Sequence, residues 1–156
     1  MKPFTDKQGH KDYTIIIGCG RLGANLANTL SDEGGDVLII DKEKDSFRKL
    51  SSSFGGLTIT GDATDFDVLQ EAQIEKASVL VAVTNNDNTN IMAAQIAREM
   101  YQINRVIARL YDMDRACVYQ ELRINTICPA ILSAKEIDKI LTETSTANDL
   151  CEVTEL

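Results

Sequence analysis

Short, almost wholly apolar runs alternate along this chain with longer segments whose apolar residues recur at helical spacing. Residues 13–17 form a β-branched run that stops at Gly18. In 20–30, Leu22, Leu26 and Leu30 fall on one helical face, and Gly34 and Gly35 follow as C-terminal stops. A second strand is predicted over 36–40. A helix carrying Phe47, Leu50 and Phe54 follows and breaks at Gly55 and Gly56, and a third strand covers 57–60. Residues 64–71 read as a short helix, with Thr64 and Asp67 at capping-box spacing. Residues 78–83 are a fourth strand, apolar enough to be covered on both faces, as strands of parallel sheets are. A helix over 88–100 turns Ile91, Met92, Ile96 and Met100 inward. A fifth strand spans 105–110, a helix 114–122, and a short sixth strand 125–128, ended by Pro129.

Single strands joined by helices build an α/β layer structure. The fold class expected here is a Rossmann-like, doubly wound parallel sheet of six strands in the order 3-2-1-4-5-6. One helix lies beyond it. Ser133 and Glu136 make a capping box, and Ile137, Ile140 and Leu141 make a narrow apolar stripe. The expected organisation is a polar leader over 1–12, a Rossmann-like nucleotide-binding unit over 13–132, a C-terminal helix over 133–142 and an acidic tail over 143–156.

Composition narrows the class. With 156 residues, 44% hydrophobic and 26% charged, the chain suits one globular domain. No apolar run approaches the roughly 20 residues a membrane helix needs, so direct membrane insertion is not expected. The net charge of −8 disfavours a nucleic-acid partner. The polar start has no apolar core of the kind a secretory signal carries, which makes the cytoplasm the default compartment. Cys19, Cys117, Cys128 and Cys151 show no C-x-x-C spacing, and the single histidine, His10, stands apart from them. They read as free thiols, with no metal site.

Gly18-Cys19-Gly20-Arg21-Leu22-Gly23 is a G-x-G-x-x-G that follows a strand and opens a helix, the context a phosphate loop requires. Gly18 permits the turn, Gly20 lets a phosphate approach the backbone, and Gly23 lets helix and sheet pack closely. Roughly 20 residues further on, Asp41 ends the second strand, where a carboxylate accepts ribose hydroxyls and repels a 2′-phosphate. Lys42 follows it and is counted with the site. Arg21 can pair with a terminal phosphate or a neighbouring subunit, or stand exposed on the first turn. Cys19 is either a thiol of lowered pKa at the helix start or a small residue suited to a tight loop.

Three more loops share this edge of the sheet. In Gly61-Asp62-Ala63-Thr64-Asp65, Asp62 and Ala63 are placed to meet adenine, while Thr64 and Asp65 suit a turn and cap. Thr84 and Asn85 either bond ribose and phosphate or cap the next helix. Arg109, in an apolar strand, needs an anionic partner, either a ligand phosphate or an internal carboxylate.

The order and spacing of these five segments resemble the KTN family, also called the RCK N-terminal or TrkA N-terminal domain, over roughly 12–142. That resemblance implies a cytoplasmic nucleotide sensor, peripherally associated with a membrane potassium channel or transporter. It also implies assembly as a homo-oligomer, dimer or ring, or with a second similar subunit. The ligand it implies is ADP, ATP, AMP or NAD(H); Arg21 and Arg109 rank ADP and ATP ahead of NAD(H). By position, Gly18 to Gly23 would hold phosphates, Asp41 the ribose, Asp62 and Ala63 the adenine, with Thr84, Asn85 and Arg109 near ribose and phosphates. The helix over 133–142 resembles the family's crossover helix. Many members continue into a second regulatory domain, and this chain stops short of one.

Two other readings stand beside it. An NAD-dependent oxidoreductase, or its cofactor-binding subunit, would need a substrate region and a general acid or base, yet little chain follows the sixth strand and His10 lies in the leader. A scaffold with a vestigial site is opposed by the intact glycine loop and Asp41. A regulatory, non-enzymatic role is therefore expected.

Overall fold

A computed structural model describes residues 12–151, apart from 113 and 115, with side chains left out at 117, 118 and 144–151. The leader expected over 1–12 lies outside this range except for Asp12.

Six parallel strands run β1 (Tyr13–Ile17), β2 (Asp36–Asp41), β3 (Leu57–Thr60), β4 (Val79–Ala82), β5 (Arg105–Arg109) and β6 (Asn125–Ile127), in the order β3-β2-β1-β4-β5-β6. The Rossmann-like sheet read from the sequence is therefore the sheet observed. Its register pairs Ile16 with Ile39 on one side and with Val81 on the other. Successive side chains on a strand point to opposite faces, and both faces of β1, β2 and β4 are buried. Ile15, Ile17, Leu38, Ile40, Leu80 and Ala82 join one core, and Ile16, Val37, Ile39, Val81 and Val83 join the other.

Helix α1 (Arg21–Asp32) covers the second core through Ala24 and Ala27, with Leu22, Leu26 and Leu30 packed at its margin. Helices α2 (Phe66–Glu71), α3 (Asp87–Gln95) and α4 (Ala116–Glu121) follow β3, β4 and β5 in the chain, and Leu69, Ile91 and Ala116 enter the first core.

Several local expectations change. The segment carrying Phe47 folds as a 3-10 helix, Lys44–Lys49, which keeps Phe47 and Leu50 against the core. Helix α2 is capped by Asp65, whose carboxylate accepts the Asp67 N–H at 3.0 Å, and not by Thr64. Thr64 bonds Asp62 instead. Met92 and Met100 point outward at 54% and 60% exposure, because Ala93, Ala94 and Ala97 form the inward face with Ile91 and Ile96. Small residues let α3 lie close to the sheet, and the last turn of this helix, Ile96–Met100, widens into a π-helix.

The final helix, α5, spans Pro129–Cys151. It neither starts at a Ser133 cap nor stops at 142, and the expected tail over 143–156 is helical as far as Cys151. Proline suits the first helical position, where its missing N–H costs nothing, so Pro129 opens this helix as readily as it ends β6.

Candidate functional site

The carboxyl ends of β1 to β5 surround an open cleft of about 530 Å³. Ligands of open α/β sheets bind at this edge, where the strand order reverses between β1 and β4. The ladder continues past the strand ends and fixes the loops. Gly18 N–H donates to the Ile40 carbonyl at 2.8 Å, Val83 N–H to Ile17 at 2.8 Å, and Gly61 N–H to Asp41 at 2.9 Å.

The three glycines differ in what surrounds them. Gly18 has φ +100° and presses on Thr84, whose backbone lies 2.9 Å from where a Cβ would stand. At Gly23 a Cβ would lie 1.8 Å from the Gly18 carbonyl oxygen, so only glycine lets α1 begin here. Gly20 has nothing within 4 Å of its Cβ position and faces the cleft. It is the N-cap of α1 and supplies no side-chain cap, which leaves first-turn amides for an anion.

Asp41 is held on both oxygens: Cys19 N–H donates to Oδ2 at 2.6 Å, and Glu43 N–H to Oδ1 at 2.8 Å. Each carboxylate oxygen keeps a further lone pair for a ligand hydroxyl. Across the cleft, Arg109 ends β5. Its guanidinium lies over the Tyr111 ring at 4.3 Å, and its NH2 group donates to the Tyr111 hydroxyl. Its Nε is buried without a hydrogen-bond partner. A buried donor left unpaired costs stability, and the cationic side chain that carries it lines the cleft.

Of the residues singled out in the sequence, Gly18, Gly20, Asp41, Lys42, Ala63, Thr84, Asn85 and Arg109 line the cleft together. Cys19, Arg21, Leu22, Gly23 and Asp62 do not. The Cys19 side chain is fully buried in the second core, with Sγ 3.4 Å from the Ser46 carbonyl, and burial followed by the nearby Asp41 charge pushes its thiol pKa up. The lowered pKa considered for it is thus reversed, and its part in the site is the backbone N–H. Leu22 packs against the core and Gly23 under the turn. Arg21 is exposed at the start of α1. Asp62 is engaged by its own loop: Oδ1 accepts from the Thr64 N–H at 2.9 Å and hydroxyl at 2.7 Å, while Oδ2 lies 2.9 Å from Lys42 Nζ. The Lys42 ammonium, then Thr64, holds its carboxyl at about 2.

Ser46, Lys49 and Thr89 also line the cleft and were not singled out. The lysines after Asp41 were the available signal for Lys49. Behind the wall lies Asn90, buried at 0% exposure, bonded to Thr84 and to the Arg109 carbonyl. Asp87 accepts the Tyr111 and Asp112 amides at 3.0 and 3.1 Å, so the first turn of α3 fixes the loop after β5. Cys19 and Cys128 are free thiols. Among the described residues, no cluster of His, Cys, Asp and Glu is arranged to hold a metal, and no helix is long and apolar enough to cross a membrane.

Comparison with known proteins identifies the family and the fold. The TrkA-N domain family matches residues 14–129. The Trk system potassium uptake protein TrkA of Streptomyces coelicolor is 46% identical over 125 residues, covering 80% of this chain and 56% of that protein. The chain thus spans a little over half the length of this relative. Two solved structures share the fold. The TrkA-N domain of inner membrane protein ybaL from Escherichia coli aligns with TM-score 0.75 at 20% identity, over 85% of this chain and 98% of that one. The Kef CTD of Shewanella denitrificans, in AMP-bound form, aligns with TM-score 0.71 at 24% identity, over 90% and 91%. The chain belongs to the TrkA-N domain family.

Proposed function

We propose that this chain is the nucleotide-sensing regulatory subunit of a potassium uptake system and takes an adenine nucleotide in the cleft at the ends of β1 to β5. The observation that carries the reading is the pairing of an open glycine turn with a cationic side chain: Gly20 at the uncapped start of α1, and Arg109, both lining one cleft. Both suit phosphate oxygens. Asp41, held on its far lone pairs by backbone amides, is set to accept ribose hydroxyls. Gly61 and Ala63 line the wall assigned to adenine. These residues fit ADP, ATP, AMP and NAD(H); Arg109 favours ADP or ATP.

The sensor works only if the ligand binds one conformation of an assembly better than another. Exposed Ile137, Ile140 and Leu141 on α5 suit docking on a second copy of the chain or a similar subunit, beside a membrane potassium channel or transporter in the cytoplasm. Calorimetric titration of nucleotide-stripped protein with AMP, ADP, ATP, NAD⁺ and NADH tests the reading. Micromolar binding of at least one, lost in Asp41→Ala, is the expected result. Absence of binding by all five would remove it.

A further inference from the structure

The most deeply buried polar side chain among the described residues stands behind the cleft wall. Asn90, in the first turns of α3, is 0% exposed. Burying an amide is costly unless its hydrogen-bonding capacity is met. Asn90 meets it on two residues only. Its Oδ1 accepts the Thr84 N–H at 2.9 Å and the Thr84 hydroxyl at 2.6 Å. Its Nδ2 donates to the Thr84 carbonyl and to the Arg109 carbonyl, each at 3.0 Å. Both residues line the cleft. Sheet pairing between β4 and β5 runs as far as Ala82 with Ala108, so beyond that pair Asn90 joins the two strand ends.

Thr84 is in turn packed on the glycine turn: a Cβ at Gly18 would meet its Cα and N at 2.9 Å. A displacement of Thr84 therefore reaches both the turn that faces the ligand and the strand end that carries Arg109. A leucine shares the branched shape of asparagine but is bulkier and makes none of these four hydrogen bonds.

We infer that Asn90 is a positioning residue for the ligand. It sets the Thr84 loop and the Arg109 backbone at the spacing a phosphate requires, without touching the ligand itself. The inference rests on the nucleotide-binding reading above and assigns Asn90 to the phosphate half of the cleft. The half made by Asp41, Gly61 and Ala63 is built on β2 and β3 and has no hydrogen bond to Asn90.

The test compares ADP with adenosine, by competition on the wild type, Asn90→Leu and Asn90→Ala, with thermal melting recorded alongside. The expected result is a loss of roughly tenfold or more in ADP affinity, with adenosine affinity unchanged, so that the preference for ADP over adenosine collapses. A purely stabilising role would lower the melting temperature and leave the ratio of the two affinities at its wild-type value; that outcome overturns the inference. Should Asn90→Leu fail to fold, Asn90→Ala, which leaves room for water in place of the amide, carries the same comparison. A wild-type protein that binds neither ligand defeats the nucleotide reading itself, and the inference falls with it. A wild type that binds both, with variants keeping its ratio, defeats the inference alone.

Discussion

The backbone N–H of Cys19 donates to Asp41 Oδ2 at 2.6 Å, tying the glycine turn after β1 to the end of β2. The carboxylate therefore shapes the loop as well as facing the cleft. Asp41→Ala removes an acceptor from a ligand hydroxyl and releases the Cys19 and Glu43 amides. Hydrogen bonds to a charged group contribute roughly 1.5–3 kcal/mol each, so nucleotide affinity should fall by at least about tenfold. Calorimetry reads the loss, and unchanged affinity would remove Asp41 from the site.

Gly20 and Gly23 separate binding from folding. A methyl group at Gly23 would overlap the Gly18 carbonyl oxygen, so Gly23→Ala should cost about 1–3 kcal/mol or more of stability. Gly20→Ala meets open space at an ordinary extended backbone, φ −76° and ψ −169°, and should cost at most about 1 kcal/mol. It should nevertheless weaken nucleotide binding, because its methyl occupies the approach to α1. Denaturant melts with parallel titrations check the contrast.

Removing Arg109 should weaken the ligand without weakening the fold. Arg109→Met relieves the cost of the unpaired Nε, loses the stacking and hydrogen bond to Tyr111, and deletes the cation that lines the cleft. These opposing effects offset, so the expected outcome is stability close to wild type, with ADP affinity reduced. A variant less stable than wild type that binds ADP normally would identify Arg109 as a structural residue.

The Lys42–Asp62 pair should show in the acid limb of stability. Asp62 is lowered from 3.8 to about 2, first by Lys42 and then by Thr64. A depressed folded pKa contributes stability above the unfolded value that is lost as pH falls through the folded one. The Lys42 and Asp62 side chains are 58% and 42% exposed, so solvent screening keeps the contribution small. Asp62→Asn should flatten the decline in stability between about pH 4 and pH 2, as read by urea midpoints.

At the alkaline end the group is Tyr13. Its hydroxyl donates to the Ala72 carbonyl at 2.6 Å, and burial, then Asp36 and Glu75, raise its pKa from 10.0 to about 12. A raised folded pKa gives stability that is full below the unfolded value and lost as pH climbs through the folded one. Tyr13→Phe should cost roughly 1–2 kcal/mol at neutral pH and remove part of the loss between about pH 10 and 12. Nucleotide affinity should not change, since Tyr13 begins β1 at the opposite edge of the sheet from the cleft.

The sheet was readable because its central strands β1, β2 and β4 are short and apolar on both faces, as in a doubly covered parallel sheet. The glycine loop and Asp41 were readable because turn geometry and close approach restrict the residue type. Met92 and Met100 misled because hydrophobicity outweighs size in a periodicity count, whereas close packing on the sheet selects Ala93, Ala94 and Ala97. Asn90 carried no signal, since a buried asparagine and a solvated one look alike until the Thr84 and Arg109 partners are known. Asp62 was assigned outward to a base because its neighbours Lys42 and Thr64, which hold it, lie on a different strand end and in its own turn.

The central claim is that an adenine nucleotide sits between the glycine turn and Arg109. Nitrogen-15 NMR with added ADP tests it most directly, because the Arg109 Nε–H and the Gly20 and Thr84 amides each give a signal. Saturable shifts at these three positions are expected, with Arg109 Nε–H reporting a phosphate beside its guanidinium. Shifts confined to residues away from the cleft, such as Arg98 and Arg123 at the far edge of the sheet, or no shift at all, would contradict it.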